Sequence, residues 1–178
     1  MVRLALGIIG AVFVLAACAS AQEKDNQMKR DDTAIFEDFK ALSGTYLEVE
    51  GEGEPAIIEY RLISRGTALT ETWIMPAGQY GPDGKTELTV FHMDSGVLVA
   101  THYCGVGVHP TMVLDPKSPD GTYNFIPRTI ANLGSAEQSY NSGFGYTLED
   151  DGTVYRSEQW MISGKRQESY LRMERDAH

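Results

Sequence analysis

Cysteine is nearly absent: the 178-residue chain holds only Cys18 and Cys104. That excludes the disulfide framework of small secreted domains, and no Cys-x-x-Cys pair offers a finger-type metal site. Positive charge is scarce too, with 15 Lys plus Arg against 25 Asp plus Glu and a net charge of −10. A phosphate backbone requires a basic surface, so no nucleic acid is expected as a partner. No Walker loop and no Gly-x-Ser-x-Gly elbow occurs, which removes two common signatures of phosphate and acyl chemistry. The one long apolar run, Leu4–Ala17, is too short for a comfortable membrane span.

That run follows Arg3 and reads as a secretion signal over residues 1–17. It ends in Leu15-Ala16-Ala17-Cys18, which resembles the bacterial lipobox. The resemblance implies that Cys18 carries a diacylglycerol and becomes the first mature residue. An ordinary signal peptide cleaved near Ala19 or Ala21 is the alternative. Ala19, with no Asp behind the cysteine, resembles the pattern of lipoproteins sorted to the outer membrane of Gram-negative bacteria. The expected location is therefore the outer membrane, through a lipid anchor, facing the periplasm. Residues 18–32 are polar and aperiodic and read as a tether. With Cys18 occupied, Cys104 has no partner and is expected to be buried.

Residues 33–178 read as one domain. Thr33–Ser43 is predicted as a short helix, capped by Asp32 or Thr33, with Ile35, Phe36, Phe39 and Leu42 on one face and Gly44 at its end. Short strands with turn signals follow: Thr45–Glu50, Ala56–Ile63, Ala68–Met75, Leu88–Met93, Val97–Cys104, Thr111–Leu114, Thr122–Ile126, Gln138–Leu148, Thr153–Ile162 and Arg166–Arg175. Arg128–Glu137 reads as irregular. The connections are too short for parallel crossovers, so the strands run antiparallel. An all-β, up-and-down antiparallel barrel of eight to ten strands with a short N-terminal helix is expected, because closure removes sheet edges. A β-sandwich is the alternative.

The hairpin Leu88–Cys104 organises the rest. It carries His92, His102 and Cys104, and His109 follows in its exit loop. With Asp94-Ser95-Gly96 as a three-residue loop and Met93 opposite Val97, one face holds Leu88, Val90, His92, Leu98, Ala100, His102 and Cys104. A bulge at Gly96 shifts that register by one residue. Both faces are apolar, which predicts cover on each side, from the helix or from a homodimer contact. In the neighbouring strands Glu59, Arg61, Glu71 and Trp73 share faces with large apolar side chains. Surface ion pairs and an interior polar cluster both fit that pattern.

Several pieces of the chain resemble a family of bacterial lipocalin-like proteins of the calycin superfamily. They are Leu42-Ser43-Gly44-Thr45-Tyr46, Tyr60-Arg61, Gly66–Thr72, Val90-Phe91-His92-Met93-Asp94, Thr101-His102-Tyr103-Cys104, Glu158-Gln159-Trp160 and Gly164-Lys165. Thr-His-Tyr-Cys is the most specific of these. Tyr46 stands where that family has Trp, and Gly107-Val108-His109-Pro110 replaces its Gly-Asn-Gln-Pro. The resemblance implies a closed barrel with a helix near one end and supplies no activity.

Three chemical readings follow. His92, His102, His109 and Cys104 are transition-metal or haem ligands by type, but no acidic residue stands at ligand spacing beside them. Cys104 and His102 form a thiol–imidazole pair, yet two strand positions separate their α-carbons by about 6–7 Å, long for direct proton transfer. Binding is the preferred reading: a small apolar or amphipathic molecule held in the barrel by His102, Cys104, His92, Arg61, Glu71 and Trp73, without catalysis and without a cofactor. The alternatives are a haem- or metal-binding barrel, or a barrel with a structural or protein-contact role.

Overall fold

The computed structural model describes residues 31–50, 53–78 and 81–177. The expected signal segment, Cys18 and most of the tether lie outside the described residues.

Ten antiparallel strands close into a barrel in which each strand pairs with its sequence neighbours and β1 pairs with β10. The strands are β1 (Gly44–Glu48), β2 (Ile57–Ile63), β3 (Ala68–Met75), β4 (Lys85–Asp94), β5 (Val97–Tyr103), β6 (His109–Leu114), β7 (Thr122–Ala131), β8 (Tyr140–Leu148), β9 (Val154–Ile162) and β10 (Lys165–Arg175). The up-and-down barrel is thus found and the sandwich is not. One expected boundary is corrected: β7 runs through Arg128–Ala131, where an irregular segment is expected from the sequence. Pro127 hides that continuation. It has no N–H to give to the ladder, and the β6–β7 register slips there, with Thr111 opposite Thr129 but Met112 opposite Pro127.

Helix α1 (Asp32–Lys40) is shorter than the predicted Thr33–Ser43 and is capped one residue earlier. The Asp31 carboxylate accepts the N–H groups of Thr33 and Ala34. At the other end Arg175, from β10, donates to the carbonyls of Ser43 and Ala41. Those bonds satisfy C-terminal carbonyls that would otherwise lack partners. Gly44 follows at φ +141°, and a Cβ there would collide with Arg175 Nη1.

The helix closes one end of the barrel. Its Asp32 carboxylate accepts the N–H of Leu98, and its Phe39 inserts among Phe91, Tyr123, Phe125 and Tyr146 at centroid distances of 5.1–5.8 Å. The helix therefore closes an end and does not supply the cover expected for the outer face of the central hairpin. The outer face of the hairpin stays partly open: Val97 and Tyr103 are exposed, and Leu88, Val90 and His92 are half-buried.

The hairpin register also corrects the expectation. Asp94 pairs with Val97 and Met93 with Leu98, so the turn is the two residues Ser95-Gly96, at φ 54° and 84°. Left-handed backbone at both central positions is the twist that closes antiparallel strands tightly. The shift by one residue moves Leu88, Val90 and His92 to the outer face. It brings Glu87, Thr89, Phe91 and Met93 inside with Leu98, Ala100, His102 and Cys104.

Candidate functional site

Strand parity builds the interior in two zones. Near α1 lie Phe39, Leu69, Phe91, Leu98, Met112, Phe125, Val154 and Met173, all essentially without exposure. These side chains fill that half by aromatic and aliphatic contact. Towards the opposite end the inward positions become polar: Glu71 on β3, Lys85, Glu87 and Thr89 on β4, His102 on β5, Asn141 on β8, and Arg156 and Glu158 on β9. Trp73 and Trp160 point inward beside them.

At the boundary sits an ion-pair network. Arg156 is buried with its Nη2 3.2 Å from Glu71 Oε1 and its Nη1 on Glu158 Oε1. Its Nε donates to the Tyr146 hydroxyl at 3.1 Å. The hydroxyls of Tyr60 and Tyr146 both donate to Glu71 Oε2, at 2.6 and 2.7 Å. Trp160 Nε1 donates to Glu158 Oε2 at 3.0 Å. The guanidinium also lies over the rings of Trp73, Phe144 and Tyr146, with Cζ 4.7–5.6 Å from their centroids.

The protonation states follow from this packing. Burial opposes the charge on Arg156, but Glu71, Tyr146, Glu158 and Tyr60 outweigh it and hold the guanidinium charged. Burial alone would raise the Glu158 carboxyl, yet Arg156 and the Trp160 N–H bring it below its ordinary value. The hydroxyls of Tyr60 and Tyr146 are pushed well up, by burial first, and stay protonated donors.

Beyond the network, His102, Glu87 and Cys104 converge. His102 and Thr89 are direct cross-strand partners, and the imidazole Nδ1 lies 3.0 Å from Thr89 Oγ1. His102 Nε2 lies 3.7 Å from Glu87 Oε2. The Cys104 thiol donates to Glu87 Oε1 at 3.5 Å, and the same oxygen accepts Lys85 Nζ at 3.1 Å and the Gly105 N–H at 3.3 Å. All three residues are buried, while the Lys85 side chain is 35 % exposed, so the cluster sits just beneath the rim. Burial first, then the Arg156 charge, lowers the pKa of His102 despite its carboxylate neighbours. Burial pushes the Cys104 thiol up to about 12.

Among the described residues, five buried donor or acceptor atoms in this zone make no hydrogen bond: Glu71 Oε1 and Arg156 Nη2, which face each other as the 3.2 Å ion pair, and Trp73 Nε1, His102 Nε2 and Asn141 Nδ2, which take no part in it. Such atoms are costly in a low-dielectric interior, and each calls for an explanation.

The candidates taken from the sequence separate cleanly. His102, Cys104, Glu71 and Trp73 point into the barrel. Arg61 lies on the outer face, paired with Glu59 at 2.9 Å and mostly exposed. His92 lies on the outer face of β4, and His109 meets the outward ring of Tyr103 at 5.2 Å. The structure therefore does not bring His92, His109 or Arg61 to the interior cluster. No acidic residue stands at ligand spacing along the sequence, yet Glu87, 17 residues from Cys104, is brought beside the thiol and imidazole across the hairpin. Arg156, Glu158, Thr89 and Asn141 also belong to the zone. Parity could have found Arg156, which alternates with Val154, Glu158 and Trp160 on one face of β9.

Compared with protein-family models and with curated proteins, the chain gives no match.

Proposed function

We propose that the protein is a barrel-type binding protein for a small amphipathic molecule. Its seat is the polar half of the interior, at the end away from α1. The reading rests on one observation: among the described residues, Trp73 Nε1, His102 Nε2 and Asn141 Nδ2 are buried without hydrogen bonds, beside a network whose own charges are paired with each other. A ligand bearing hydrogen-bonding groups would complete them, while Trp73, Trp160 and Phe144 offer apolar surface to its remainder. The aromatic filling of the helix-covered half argues against a long apolar chain running the length of the barrel.

The lipocalin-like resemblance supports the same reading as analogy of fold. The chemistry of the sequence adds a location. The Leu15-Ala16-Ala17-Cys18 segment supports a lipid-anchored protein at the outer membrane, with the barrel held in the periplasm by the tether. A homodimer through the open outer face of the central hairpin fits its apolar side chains, Val97 and Tyr103 among them.

Native mass spectrometry of protein purified from its own host tests the binding reading. A co-purified organic molecule, lost on His102→Ala with the fold retained, is the expected result. Protein that is empty by mass, with tryptophan emission that no extract of the host envelope alters, overturns it. For the anchor, the mass of the N-terminal peptide should show diacylglycerol on Cys18, and Cys18→Ser should release the protein to the soluble fraction. An unmodified terminus beginning after Cys18 refutes the anchor alone.

A further inference from the structure

The cluster under the rim has the composition of a metal centre. Glu87, His102 and Cys104 each offer one ligand atom, and those atoms lie within 4.8 Å of one another. Ligands about 2.0–2.3 Å from a tetrahedral zinc ion stand about 3.3–3.6 Å apart. The thiol and carboxylate are already 3.5 Å apart, and the imidazole Nε2 and carboxylate 3.7 Å. Small side-chain movements would complete the tetrahedron.

Two further observations point to a cation. His102 Nε2 is buried and has no hydrogen-bond partner. With Nδ1–H donating to Thr89, Nε2 aims a bare lone pair at a carboxylate oxygen. In the other tautomer its N–H faces that oxygen at 3.7 Å, too far for a hydrogen bond. A cation between the two groups satisfies both. The second observation is charge. The buried carboxylates Glu71 and Glu87 and the partly buried Glu158 face one buried guanidinium, Arg156, with Lys85 at the rim.

We propose that Glu87, His102 and Cys104 bind one divalent zinc-type ion. The fourth coordination position falls to water or a further ligand on the rim side, where Lys85 now lies over the Trp160 ring with Nζ 5.8 Å from its centroid. On binding, the Cys104 S–H bond breaks, sulfur keeps the electron pair, and the proton leaves to solvent. Thiolate, carboxylate and neutral imidazole then balance the two charges of the ion, so nothing uncompensated is buried. Lys85 gives up its contact with Glu87 and turns outward. Thr89 holds the far nitrogen of His102 and fixes which nitrogen faces the metal. The site shares His102 Nε2 with the small-molecule reading; with the ion bound, Trp73 Nε1 and Asn141 Nδ2 are left to that molecule, and the ion would offer it a further contact.

The test uses the full chain carrying Cys18→Ser, which leaves Cys104 as its sole thiol. Titration with Co²⁺ should produce a thiolate-to-cobalt charge-transfer band that saturates at one equivalent and is bleached by one equivalent of Zn²⁺. Cys104→Ser should lose the band, and His102→Ala or Glu87→Gln should weaken Zn²⁺ binding by about 100-fold or more. Thr89→Val, which leaves the three ligands in place, should weaken it by about 10-fold. X-ray absorption of the zinc-loaded protein needs no further variant and should show one sulfur and otherwise nitrogen or oxygen ligands. A zinc shell without sulfur, or no cobalt band in the folded protein, overturns the proposal. Co-purification of an organic ligand in that case would leave the binding reading intact.

Discussion

The two halves of the barrel interior are built from the same ten strands and by opposite rules. In the half under α1, shape does the work: Phe39, Phe91, Phe125 and Tyr146 meet edge to face or tilted, and only Tyr146, at the boundary, touches a charge, through its hydroxyl and the Arg156 guanidinium over its ring. In the other half, Arg156, Glu71, Glu158, Glu87 and His102 are withdrawn from water at high desolvation cost. Some polar atoms there still lack partners. A fold that needed only stability could fill both halves with the first chemistry, since well-packed apolar replacements of buried ion pairs are often neutral or stabilising. The contrast sets an apolar half that holds the barrel closed against a polar half whose burial cost the proposed binding role would explain.

The largest effects should come from removing the centre of each half. Arg156→Met strands the buried Glu71 and the partly buried Glu158 and should cost about 3–5 kcal/mol in urea unfolding. Phe39→Ala opens a cavity under the helix and should cost a similar amount, about 3–5 kcal/mol. The two losses differ in how they can be repaired. Adding Glu71→Gln and Glu158→Gln to Arg156→Met should recover a large part of the stability, because the unpaired charges disappear; the same pair of changes should recover nothing in Phe39→Ala. Equal recovery in both backgrounds would erase the distinction between the halves.

Acid should attack the polar half first. In metal-free protein with a chelator present, His102 resists protonation in the fold, by burial first and then the Arg156 charge. In the unfolded chain it takes up a proton near its ordinary value of about 6.5. A base whose folded pKa is lowered contributes stability above the unfolded value and loses it as pH falls below. Glu158 is also held below its ordinary value, so its contribution is present above about 4.5 and is lost as pH drops through its folded pKa. The melting temperature should fall from pH 7 to pH 5 and more steeply below. Replacing His102 by Gln should flatten the upper part of that fall. A melting temperature that rises between pH 7 and 5.5 contradicts the assignment.

The fold was legible because local chemistry marks its corners. Gly66 before β3 and Pro76 after it bound Ala68–Met75, and the observed strand has those limits. The site was legible only in part. His102 and Cys104 announce themselves by type, but Glu87 enters only when Met93 is set opposite Leu98 rather than Val97. That single step exchanges which residues of β4 face inward. Ser95 supplies the reason for the error: a non-glycine residue at φ 54° makes a two-residue turn where its side chain would suggest a longer loop. Arg156 pairs with Glu71 across strands far apart in sequence, and no local pattern records such a contact. The outward turn of Arg61 is invisible for the same reason, since Tyr60 and Arg61 both have plausible interior roles until the strand is placed in the barrel.

Cys104 probes the polar half without dismantling it. The residue is 5 % exposed, and burial raises its thiol to about 12 from an ordinary 9.0. At neutral pH that leaves about a thousandfold less thiolate than an ordinary thiol carries, and the thiolate is the reactive form. A thiol reagent should label it slowly in the native protein and rapidly in urea. Cys104→Ser should fold, with a loss of about 1 kcal/mol, because serine can still donate to Glu87. Fast labelling in the native state would place the thiol at the surface and contradict the burial.

Arg61 offers the smallest expected effect and the sharpest control on the boundary of the site. Its residue type and its place beside Tyr60 suggest a ligand contact, yet β2 turns Tyr60 inward and Arg61 outward. Its guanidinium meets Glu59 at 2.9 Å on the solvent side, with the Arg61 side chain 70 % exposed. An exposed pair of this kind gains little, since water screens the attraction and holding both side chains in place costs entropy. Arg61→Ala should therefore change unfolding free energy by less than about 0.5 kcal/mol and leave ligand and Zn²⁺ binding unaltered. Its neighbour one position back behaves differently. Tyr60→Phe removes one of the two hydroxyls on Glu71 and should cost about 1–3 kcal/mol, the range for disturbing a buried charged acceptor. Equal effects at the two positions would mean that the polar chemistry reaches through the barrel wall; a small effect at Arg61 beside a large one at Tyr60 confines it to the interior.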